Sequence, residues 1–165
     1  MIKWAKVNPN AVIPTRKDEN AGYDIYACFD GDLMVLPSGS ITMVHTGIAS
    51  SFESDKYFQI QERGSTGSIG LKYCAGVIDS GFRGEWVIIL YNANPKDIII
   101  SKLSKEELYE RDEDIANAII YPYTKGIAQA VLLPVIKEEQ VEVTYEELLK
   151  IPSDRGTGML GSSGK

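Results

Sequence analysis

An aspartate and a phenylalanine three positions apart are the residues of this sequence best suited to chemistry. Asp79 and Phe82 lie in the segment AGVIDSGFRGE at 75–85, which we interpret as a hairpin turned at Gly81. A carboxylate in such a turn could act as a general base on water, and the ring could stack on a sugar or a base. The plainer interpretation is a hairpin with a solvated aspartate and a phenylalanine in the core.

A glycine-rich segment beside an arginine could hold phosphate groups. Residues 61–70, QERGSTGSIG, interleave three glycines with hydroxyl side chains directly after Arg63. Glycine lets backbone amides approach an anion, hydroxyls donate to it, and arginine pairs with it through two parallel hydrogen bonds. The Gly-Lys-Ser/Thr ending of a P-loop is absent from this segment. An ordinary turn is the alternative interpretation.

Two further features give weaker signals of a site. Asp24 stands within the apolar run 21–27, where a carboxylate is costly unless it is paired or near a metal. An aspartate at a turn or a strand edge is the default there. Residues 155–165, which begin with Arg155, are too rich in glycine and serine to fold alone. They are either a disordered end or an arm that orders over an anion.

Length and composition restrict the class of protein. The 165 residues, 44% hydrophobic and 24% charged, predict one globular domain over 1–165. A net charge of -6 repels the phosphate backbone, so we expect no nucleic-acid partner, and a small anion would need arginines or a metal. No apolar run approaches the roughly 20 residues of a membrane helix, and no signal peptide is visible. We therefore predict a cytoplasmic protein with no membrane partner.

The cysteines and the histidine carry no chemistry in this interpretation. Cys28 and Cys74 make no zinc spacing, and we predict that both are reduced and half-buried in strands. His45 is the only histidine, so nothing supports a histidine-based metal site or a serine–histidine pair. We interpret His45 as a strand or turn residue without a special role.

Short runs rich in valine, isoleucine, tyrosine and threonine, separated by glycine and proline, must position these residues. Such runs predict an all-β sandwich, jelly roll or small barrel. The predicted strands lie at 41–44, 57–60, 86–91, 128–135 and 140–143. A capping box formed by Ser104 and Glu107, with apolar spacing after it, predicts a helix over about 104–119. Thr144 opens a second such box and predicts another short helix.

Taken in order, these segments resemble the five motifs of the trimeric dUTPase family, with GIAQ at 126–129 as the fourth. The resemblance spans residues 21–164, nearly the whole chain. It implies a distorted jelly roll, a homotrimer whose active sites are each built from all three chains, and Mg²⁺ as the cofactor. The implied reaction is hydrolysis of dUTP to dUMP and pyrophosphate, with water attacking the α-phosphorus. This reaction keeps uracil out of DNA and supplies dUMP for dTMP synthesis.

The resemblance implies roles for the residues of the third motif. Asp79 matches the aspartate that orients and deprotonates the attacking water. Phe82 stands where the family usually has a tyrosine, whose ring packs on the deoxyribose and leaves no room for a 2′-hydroxyl. The backbone of Gly76, Val77 and Ile78 matches the segment that reads the uracil edge.

The other motifs would hold the metal and the phosphates. Asp24 matches the aspartate that supports magnesium through water. The residues that match phosphate contacts of the core are Arg63, Gly64, Ser65, Thr66 and Gln129. The flexible arm over 155–165 would clamp the triphosphate with Arg155, cover the uracil with Leu160, and add Gly161 and Ser162 to the phosphate contacts.

Three departures from the family pattern bear on this site. Leu160 replaces the phenylalanine that usually stacks on uracil, which predicts weaker closure of the arm. Gly64 directly follows the arginine, so the hydroxyl that meets the phosphates is shifted to Ser65 or replaced by the Gly64 amide. Lys125 and Gly126 stand where the fourth motif usually has an arginine.

Residues 95–124 make a longer connection between the third and fourth motifs than is usual, and the predicted helix lies in it. We interpret this insert as surface decoration. The alternative is a regulatory insert that binds a protein partner, since virus-encoded members of the family carry inserts at similar places. That similarity points to a bacteriophage or prophage origin, in which case the location is the host cytoplasm.

Two rival functions were weighed against hydrolysis of dUTP. The dCTP deaminases share the fold and similar motifs, but they place a glutamate where alignment on Gly84 and the Tyr91-Asn92 pair puts Ile89. Deamination has no base without that carboxylate. The second rival is a regulatory protein that binds dUTP without turning it over. The retained Asp79 argues against it, because a pure binder needs no water-activating base.

Overall fold

The computed structural model describes residues 1–111, 115 and 117–158. The chain forms two units, Met1–Val135 and Ile136–Lys165. In chain order the elements of the first unit are β1 (Lys3–Lys6), β2 (Gly22–Ile25), β3 (Leu33–Leu36), β4 (Ile41–His45), β5 (Ile48–Ser51), β6 (Lys56–Gln61), α1 (Gly64–Gly67), β7 (Leu71–Tyr73), β8 (Val77–Asp79), β9 (Val87–Asn92), β10 (Ile98–Ser101), α2 (Lys105–Arg111), β11 (Ile119–Pro122) and β12 (Ala128–Pro134).

The strands pair into four sheets, with the orders β2-β12-β6-β8, β4-β9-β7, β11-β10-β3 and β1-β5. Apart from β10 and β11, the strand neighbours described are antiparallel. The predicted all-β class is therefore confirmed. Four of the five predicted strands coincide with β4, β6, β9 and β12 to within one residue at each end.

Strand β9 illustrates how alternation builds the core. Ile88, Leu90 and Asn92 point inward and are at most 2% exposed, while the residues between them face outward. A buried asparagine is tolerated only when its amide is satisfied. The side-chain amide of Asn92 donates to the carbonyls of Leu36 (2.9 Å) and Lys96 (3.0 Å) and so fixes the chain on both sides of β9.

Five aromatic rings occupy the centre of the first unit. Phe58 and Trp86 are fully buried, and their ring centroids lie 5.1 Å apart in an edge-to-face arrangement. Trp4, Tyr23 and Phe52 pack on Phe58 with centroid distances of 5.6, 5.9 and 5.0 Å. Such pairs add stabilisation beyond the area they bury. This cluster joins β1, β2 and β6, so it supports the sheet that carries the candidate site.

The connection between β10 and β11 departs from the rest of the fold. Ile98 pairs with Ile119 in parallel register, and all four residues of β10 are buried. Two parallel strands cannot be joined by a tight turn and need a crossover of a dozen or more residues, usually containing a helix. Residues 102–118 supply that crossover and α2 is its helix. The interpretation of 95–124 as surface decoration is therefore wrong for β10 and β11, because both strands belong to a sheet of the first unit.

The same pairing corrects the predicted helix over 104–119. Its start is confirmed: the Glu107 amide donates to Ser104 Oγ (3.2 Å), and the Ser104 amide donates back to the Glu107 carboxylate (2.8 Å). Leu108 is fully buried, as the apolar spacing predicts. The predicted end is wrong, because Ile119 begins β11. Strand pairing with β10 overrides helical periodicity there, and residues 112–114 and 116 lie outside the described residues.

Three other expectations are wrong. Residues 140–143 are exposed and form no strand, because no described strand pairs with them. The segment 75–85 is not a hairpin, since β8 pairs with β6 whereas β9 lies in a different sheet. The two cysteines lie outside strands, Cys28 buried and Cys74 exposed, although both are free thiols as predicted.

The second unit contains helix α3 (Tyr145–Leu149). The helix predicted after Thr144 is confirmed, and its capping box forms: the Glu147 amide donates to Thr144 Oγ1 at 3.2 Å. The hydrogen bonds from Thr144 hold the pKa of the Glu147 carboxyl below its ordinary value. No helix among the described residues of either unit is long and apolar enough to cross a membrane.

Truncation of Phe58, the central ring of the aromatic cluster, should lower the denaturant concentration at which the first unit unfolds. We expect Phe58→Ala to lower the free energy of unfolding by about 3–5 kcal/mol, because the transfer energy is lost and a cavity remains. Chemical denaturation monitored by tryptophan fluorescence measures this. Phe82→Ala is the matched control: that ring is 44% exposed, so its removal should cost less than about 1 kcal/mol. Equal losses in the two variants would contradict the cluster's role.

Candidate active site

The first part of the site is a polar cavity of about 480 Å³ beside β2, β12 and α1. It is lined by Glu19, Asn20, Ala21, Asp24, Arg63, Gly64, Ser65 and Gln129. Strand register explains the meeting of three motifs here. Gln129 on β12 lies opposite Asp24 on β2 and opposite Gln61 on β6, and Arg63 follows two residues later. The predicted first, second and fourth motifs are thus brought together by one sheet.

Arg63 and Asp24 form a two-bond ion pair at the floor of this cavity. Arg63 Nε lies 2.8 Å from one oxygen of Asp24, and a terminal nitrogen donates to the other at 3.2 Å. The second terminal nitrogen donates to the Gly126 carbonyl (3.0 Å) and, more weakly, to Ser65 Oγ (3.4 Å). A guanidinium has five N–H donors, and the described residues accept from four of them, which leaves the fifth for a ligand as far as the described part of the chain shows.

Glycine at position 126 is explained by this ion pair. A Cβ there would lie 3.2 Å from the Asp24 Cβ and 3.3 Å from the Arg63 Cδ. Any side chain would press on both partners. The family usually has an arginine just before the Ile-Ala-Gln of the fourth motif. In this chain Gly126 stands there, and the ion pair of Arg63 and Asp24 packs against it.

The turn after Arg63 is a single turn of helix, α1, rather than an open loop. Thr66 is 1% exposed, and its hydroxyl bonds both the amide and the carbonyl of Arg63 (3.0 and 3.1 Å). The side chain of Thr66 therefore holds the turn, and its predicted contact with phosphate stays a prediction. Gly64 faces open space, since a Cβ built there meets nothing within 4 Å. A ligand can thus approach the backbone at Gly64, and Ser65 is exposed beside it.

Tyr121 on β11 also reaches this group of residues. Its ring is buried, and its hydroxyl donates to the Gly126 carbonyl (2.6 Å) and lies 3.1 Å from Ser65 Oγ. Sequence reasoning missed Tyr121, because its direction depends on the parallel pairing of β10 and β11, for which the sequence gives no signal.

Gln129 is the polar residue that fills the wall between β2 and β6. Its side-chain amide nitrogen donates to the Glu62 carbonyl (2.8 Å), and its oxygen lies over Gly22, where a Cβ would come within 2.9 Å. A larger residue at position 22 would displace this amide.

The second part of the site is a cleft of about 320 Å³ lined by Ala75, Val77, Ile78, Asp79, Phe82, Glu85 and Val87. Asp79 ends β8 and is exposed, and its carbonyl accepts the Phe82 amide (3.1 Å), which closes a turn. The Phe82 ring lies on Gly84, where a Cβ would come within 2.6 Å of it. The predicted aspartate and aromatic ring therefore share one cleft.

Gly76 lies between Ala75 and Val77, which line this cleft, and its own neighbours crowd the position where a side chain would begin. A Cβ at Gly76 would lie 2.6 Å from Gln59 Nε2 and 2.9 Å from the Tyr73 ring. Its carbonyl accepts both the Ile60 amide (2.7 Å) and Gln59 Nε2 (3.0 Å). The backbone that precedes Val77 is thus fixed.

Glu85 ties this cleft to the turn after β4. Its two oxygens lie 2.8 Å from His45 Nδ1 and 2.8 Å from the Gly47 amide. Gly47 has a φ of +66°, and a Cβ built on it would lie 2.8 Å from the Ala11 Cβ, so no other residue fits there. Burial opposes ionisation of Glu85 most strongly, but the hydrogen bonds from His45 and Gly47 outweigh it and lower the pKa of the carboxyl. His45 is a strand residue, as predicted, and sequence reasoning missed its partner.

The cavity and the cleft lie on one face of one sheet, but apart. Asp79 lies opposite Tyr57, and Gln129 lies opposite Gln61. Tyr57 and Gln61 are four residues apart on β6, so they point to the same side and are separated by roughly 13 Å at about 3.3 Å per residue. Within one chain, Asp79 does not lie beside Arg63.

The arm residues fall in the second unit. Arg155 lies in a turn in which its own amide and the Gly156 amide donate to Ser153 Oγ (3.3 and 3.1 Å). Its Nε donates to the Gly158 carbonyl (3.4 Å). Leu160, Gly161 and Ser162 lie outside the described residues.

The side chains of the first cavity fit a magnesium ion that is held mainly by substrate phosphates and by water. Among the described residues, no group of three or more His, Cys, Asp or Glu side chains lies close enough to hold an ion. Magnesium keeps several waters and often binds through one or two carboxylates plus substrate phosphates. Both oxygens of Asp24 already accept from Arg63, but a carboxylate has about four acceptor positions. Asp24 therefore suits an ion that is held by phosphates and contacts the protein through water.

Comparison with known proteins agrees with this description. A family model for dUTPase matches residues 8–105. The deoxyuridine 5′-triphosphate nucleotidohydrolase of Nautilia profundicola is 31% identical over 170 residues, covering 99% of this chain and 99% of the relative. The corresponding protein of Clostridium acetobutylicum is 30% identical over 168 residues, covering 99% of this chain and 96% of its own.

Solved structures show the same fold. A mutant dUTPase of Staphylococcus bacteriophage 80alpha with dUpNHpp superposes with a TM-score of 0.74 at 21% identity, covering 100% of this chain and 99% of that one. The native EIAV dUTPase gives a TM-score of 0.62 at 17% identity, covering 88% and 98%. The predicted jelly-roll fold is confirmed.

The fold is a jelly roll that carries a polar cavity at Arg63 and a separate cleft at Asp79. The chain belongs to the dUTPase family, as the matches over its sequence and its fold show.

Acid should remove the contribution of Glu85 to stability. Because its pKa is lowered from an ordinary 4.5, the stabilisation is present above that value and is lost as pH falls through the folded pKa. We expect Glu85→Gln to lower the free energy of unfolding by about 1 kcal/mol at neutral pH, with the difference from the unmodified protein shrinking below about pH 4.5. Denaturation curves at several pH values measure this. Glu138→Gln, at an exposed position, is the control, and a pH-independent difference would contradict the assignment.

Proposed function

We propose that the chain is a dUTP diphosphatase in which Asp79 activates the water that attacks the α-phosphorus of dUTP. Membership of the dUTPase family carries the overall reaction, hydrolysis to dUMP and pyrophosphate. The observation that supports the assignment of Asp79 is its place in one cleft with Phe82 and with the backbone around Val77. Among the lining residues of that cleft, Asp79 and Glu85 carry carboxylates, and Glu85 is already occupied by His45 and Gly47.

The nucleoside half of the substrate fits the cleft at β8. The fixed backbone at Gly76, Val77 and Ile78 would read the uracil edge through main-chain groups, and the Phe82 ring would pack on the deoxyribose. Because this ring rests on Gly84, its movement to that side to admit a 2′-hydroxyl would be limited. Discrimination against ribonucleotides would follow from that contact.

The phosphates fit the cavity at Arg63. One N–H of Arg63, the hydroxyl of Ser65, the backbone at Gly64 and the side chain of Gln129 line it. In this proposal Arg63 contributes mostly by fixing Asp24 and Gly126, and donates only one hydrogen bond to a phosphate. Arg155 of the arm would supply the second cation, and Leu160, Gly161 and Ser162 would follow it over the substrate.

A homotrimer would bring the two halves together. The separation of Asp79 from Arg63 along β6 favours a site in which the two residues that meet one substrate come from different chains. The outer face of the β4-β9-β7 sheet carries Ile41 and Met43, each 64% exposed, beside Tyr91 at 37%. Exposed apolar residues in register on a sheet favour burial against another copy. Such packing would place the cleft of one protomer opposite the cavity of its neighbour.

Magnesium is the implied cofactor, and Asp24 would contact it through water. When bound, the ion neutralises charge that builds on the leaving pyrophosphate. The chain's own residues do the rest. Asp79 accepts a proton from water in line with the α-phosphorus, and Arg63 and Ser65 hold the triphosphate oxygens in place. Reactions of this kind depend chiefly on positioning and electrostatics.

We propose as a second role that the crossover segment 102–118 binds a regulatory protein partner. Neighbours in fold include the dUTPase of Staphylococcus aureus phage phi11, described as having a species-specific insert, with a TM-score of 0.65 at 21% identity over 87% of this chain and 96% of that one. Helix α2 buries Leu108 and leaves Tyr109 46% exposed, so its outer side is open to a protein partner. That partner, the cytoplasmic location and a phage origin stay predictions.

Substrate selectivity tests the proposed function. With magnesium present, we expect pyrophosphate release from dUTP and little from dCTP, dTTP or UTP, measured by a coupled pyrophosphate assay. The backbone of Val77 and Ile78 sets the base preference, and Phe82 sets the preference against UTP. Release from UTP at the rate of dUTP would remove the assignment of Phe82. Binding of dUTP without release of pyrophosphate would favour the regulatory role.

Replacing the proposed base should separate binding from turnover. We expect Asp79→Asn to bind dUTP with similar affinity and to lose about 10²–10⁴-fold in kcat, the usual contribution of a positioned base. Calorimetry with dUTP and the pyrophosphate assay measure the two quantities. Asp30→Asn, a matched change at an exposed position outside both clefts, should leave both unchanged. Near-normal turnover in Asp79→Asn would show that another group activates the water.

A further inference from the structure

Arg83 folds back over the turn that joins Asp79 to Phe82. One terminal nitrogen of its guanidinium lies 2.6 Å from the Ser80 carbonyl oxygen and 3.0 Å from the Phe82 carbonyl oxygen. A terminal nitrogen of arginine carries two N–H groups, and a carbonyl can only accept, so there is one proton for each of these two bonds. The Arg83 side chain therefore bridges carbonyls on both sides of Gly81.

The same nitrogen faces the core of the first unit. It lies 3.5 Å from the Ser50 carbonyl oxygen on β5, at the outer limit of a hydrogen bond. Ser50 is 4% exposed, and its hydroxyl accepts the indole N–H of Trp86 at 3.2 Å. The bridge over the turn is thus placed against a buried strand, which leaves the guanidinium fewer alternative positions.

Gly81 makes the turn loose where the bridge is missing. Its φ lies outside the left-handed region and a Cβ built on it meets nothing within 4 Å, so neither backbone conformation nor space requires glycine there. Glycine has the most conformational freedom to lose on folding. The Phe82 amide donates to the Asp79 carbonyl at 3.1 Å and closes the turn, and Arg83 fixes the carbonyls that lie before and after this bond.

These bonds matter because the Phe82 ring has no polar atom that could anchor it. The ring is 44% exposed, so packing, in part against Gly84, covers only some of it. Its direction therefore depends on the two peptide groups that flank Phe82. Both are engaged, the amide by Asp79 and the carbonyl by Arg83. Release of the carbonyl would let the ring shift on Gly84.

We propose that Arg83 is a positioning residue for selection of the sugar, which acts through Phe82 and not by touching the substrate. The inference rests on the proposed function, in which the Phe82 ring packs on the deoxyribose and excludes a 2′-hydroxyl. A nucleotide with that hydroxyl needs the ring to move aside. A turn anchored by Arg83 resists this movement, so loss of the guanidinium should relax the preference for dUTP over UTP.

The test is Arg83→Gln, with kcat/KM measured for dUTP and for UTP by the pyrophosphate assay in the presence of magnesium. The two nucleotides share the uracil and the triphosphate and differ only in the 2′-hydroxyl. Loss of one positive charge, or of some folded protein, therefore changes both values alike and cancels in their ratio. We expect the ratio of dUTP to UTP to fall about three- to tenfold, the effect of losing about one hydrogen bond.

Arg16→Gln is the matched control. It removes the same charge, and its guanidinium also donates from a terminal nitrogen to a backbone carbonyl, that of Asn20 at 3.0 Å. Arg16 is not among the residues that line the cleft at Asp79, so this change should leave the ratio of dUTP to UTP as it is in the unmodified protein. An equal fall in Arg16→Gln and Arg83→Gln would overturn the inference.

A double-mutant cycle with Phe82→Ala tests the route. If Arg83 acts through Phe82, Arg83→Gln lowers the ratio in the unmodified protein and adds nothing in the Phe82→Ala background. The same fall in both backgrounds would reject the inference, because Arg83 would then act by another route. Loss of turnover with both nucleotides in Arg83→Gln would reject it too, since a role confined to the sugar leaves hydrolysis of dUTP in place.

The cycle also separates failure of this inference from failure of the proposed function. An unmodified protein without preference for dUTP over UTP, or an unchanged ratio in Phe82→Ala, would remove Phe82 from the sugar site. The proposed function would then be contradicted at that residue, and the role of Arg83 would be lost with it. A lower ratio in Phe82→Ala, with an unchanged ratio in Arg83→Gln, would keep the proposed site and reject the role of Arg83 alone.

Discussion

The ion pair between Arg63 and Asp24 is the interaction on which the rest of the site depends. Both side chains are less than one-third exposed, so losing either partner would leave an unpaired charge in a partly desolvated place. The same guanidinium also donates to the Gly126 carbonyl. Three segments distant in sequence thus share one cation, and glycine at position 126 is the packing condition that lets them meet. The geometry of the cavity follows from this contact more than from any loop conformation.

Strand pairing decides what the ion pair can be used for. Because side chains alternate along a strand, the register of β2, β12, β6 and β8 puts the proposed anion and nucleoside residues on the same outward face. The same register keeps the two groups apart. In the proposed function, a single sheet prepares both halves of the nucleotide site, and contacts between protomers complete it. The exposed turn that carries Asp79 is understandable in this arrangement, since its partner groups would come from another chain.

Local signals were predictable from the sequence, and non-local ones were not. The capping boxes at Ser104 and Thr144 formed as predicted, because their hydrogen bonds close within three residues. Ile119 was assigned to a helix, yet it pairs with Ile98 in a strand. Tyr121 was overlooked for the same reason: its contacts with Ser65 and Gly126 exist only once β11 lies parallel to β10. Motif order identified the candidate residues, but it could not show that Thr66 is buried or that Arg63 is already engaged.

The parallel pair β10 and β11 also limits how this protein can change over generations. An antiparallel pair could lose its connection down to a two-residue turn, but a parallel pair cannot. Lengthening residues 102–118 is inexpensive, since each doubling of a flexible loop costs only about 0.6 kcal/mol. Shortening them to a hairpin would reverse β11 and change the neighbours that its side chains meet. The segment can thus be lengthened at small cost, but it cannot be reduced to a tight turn while β11 stays parallel to β10.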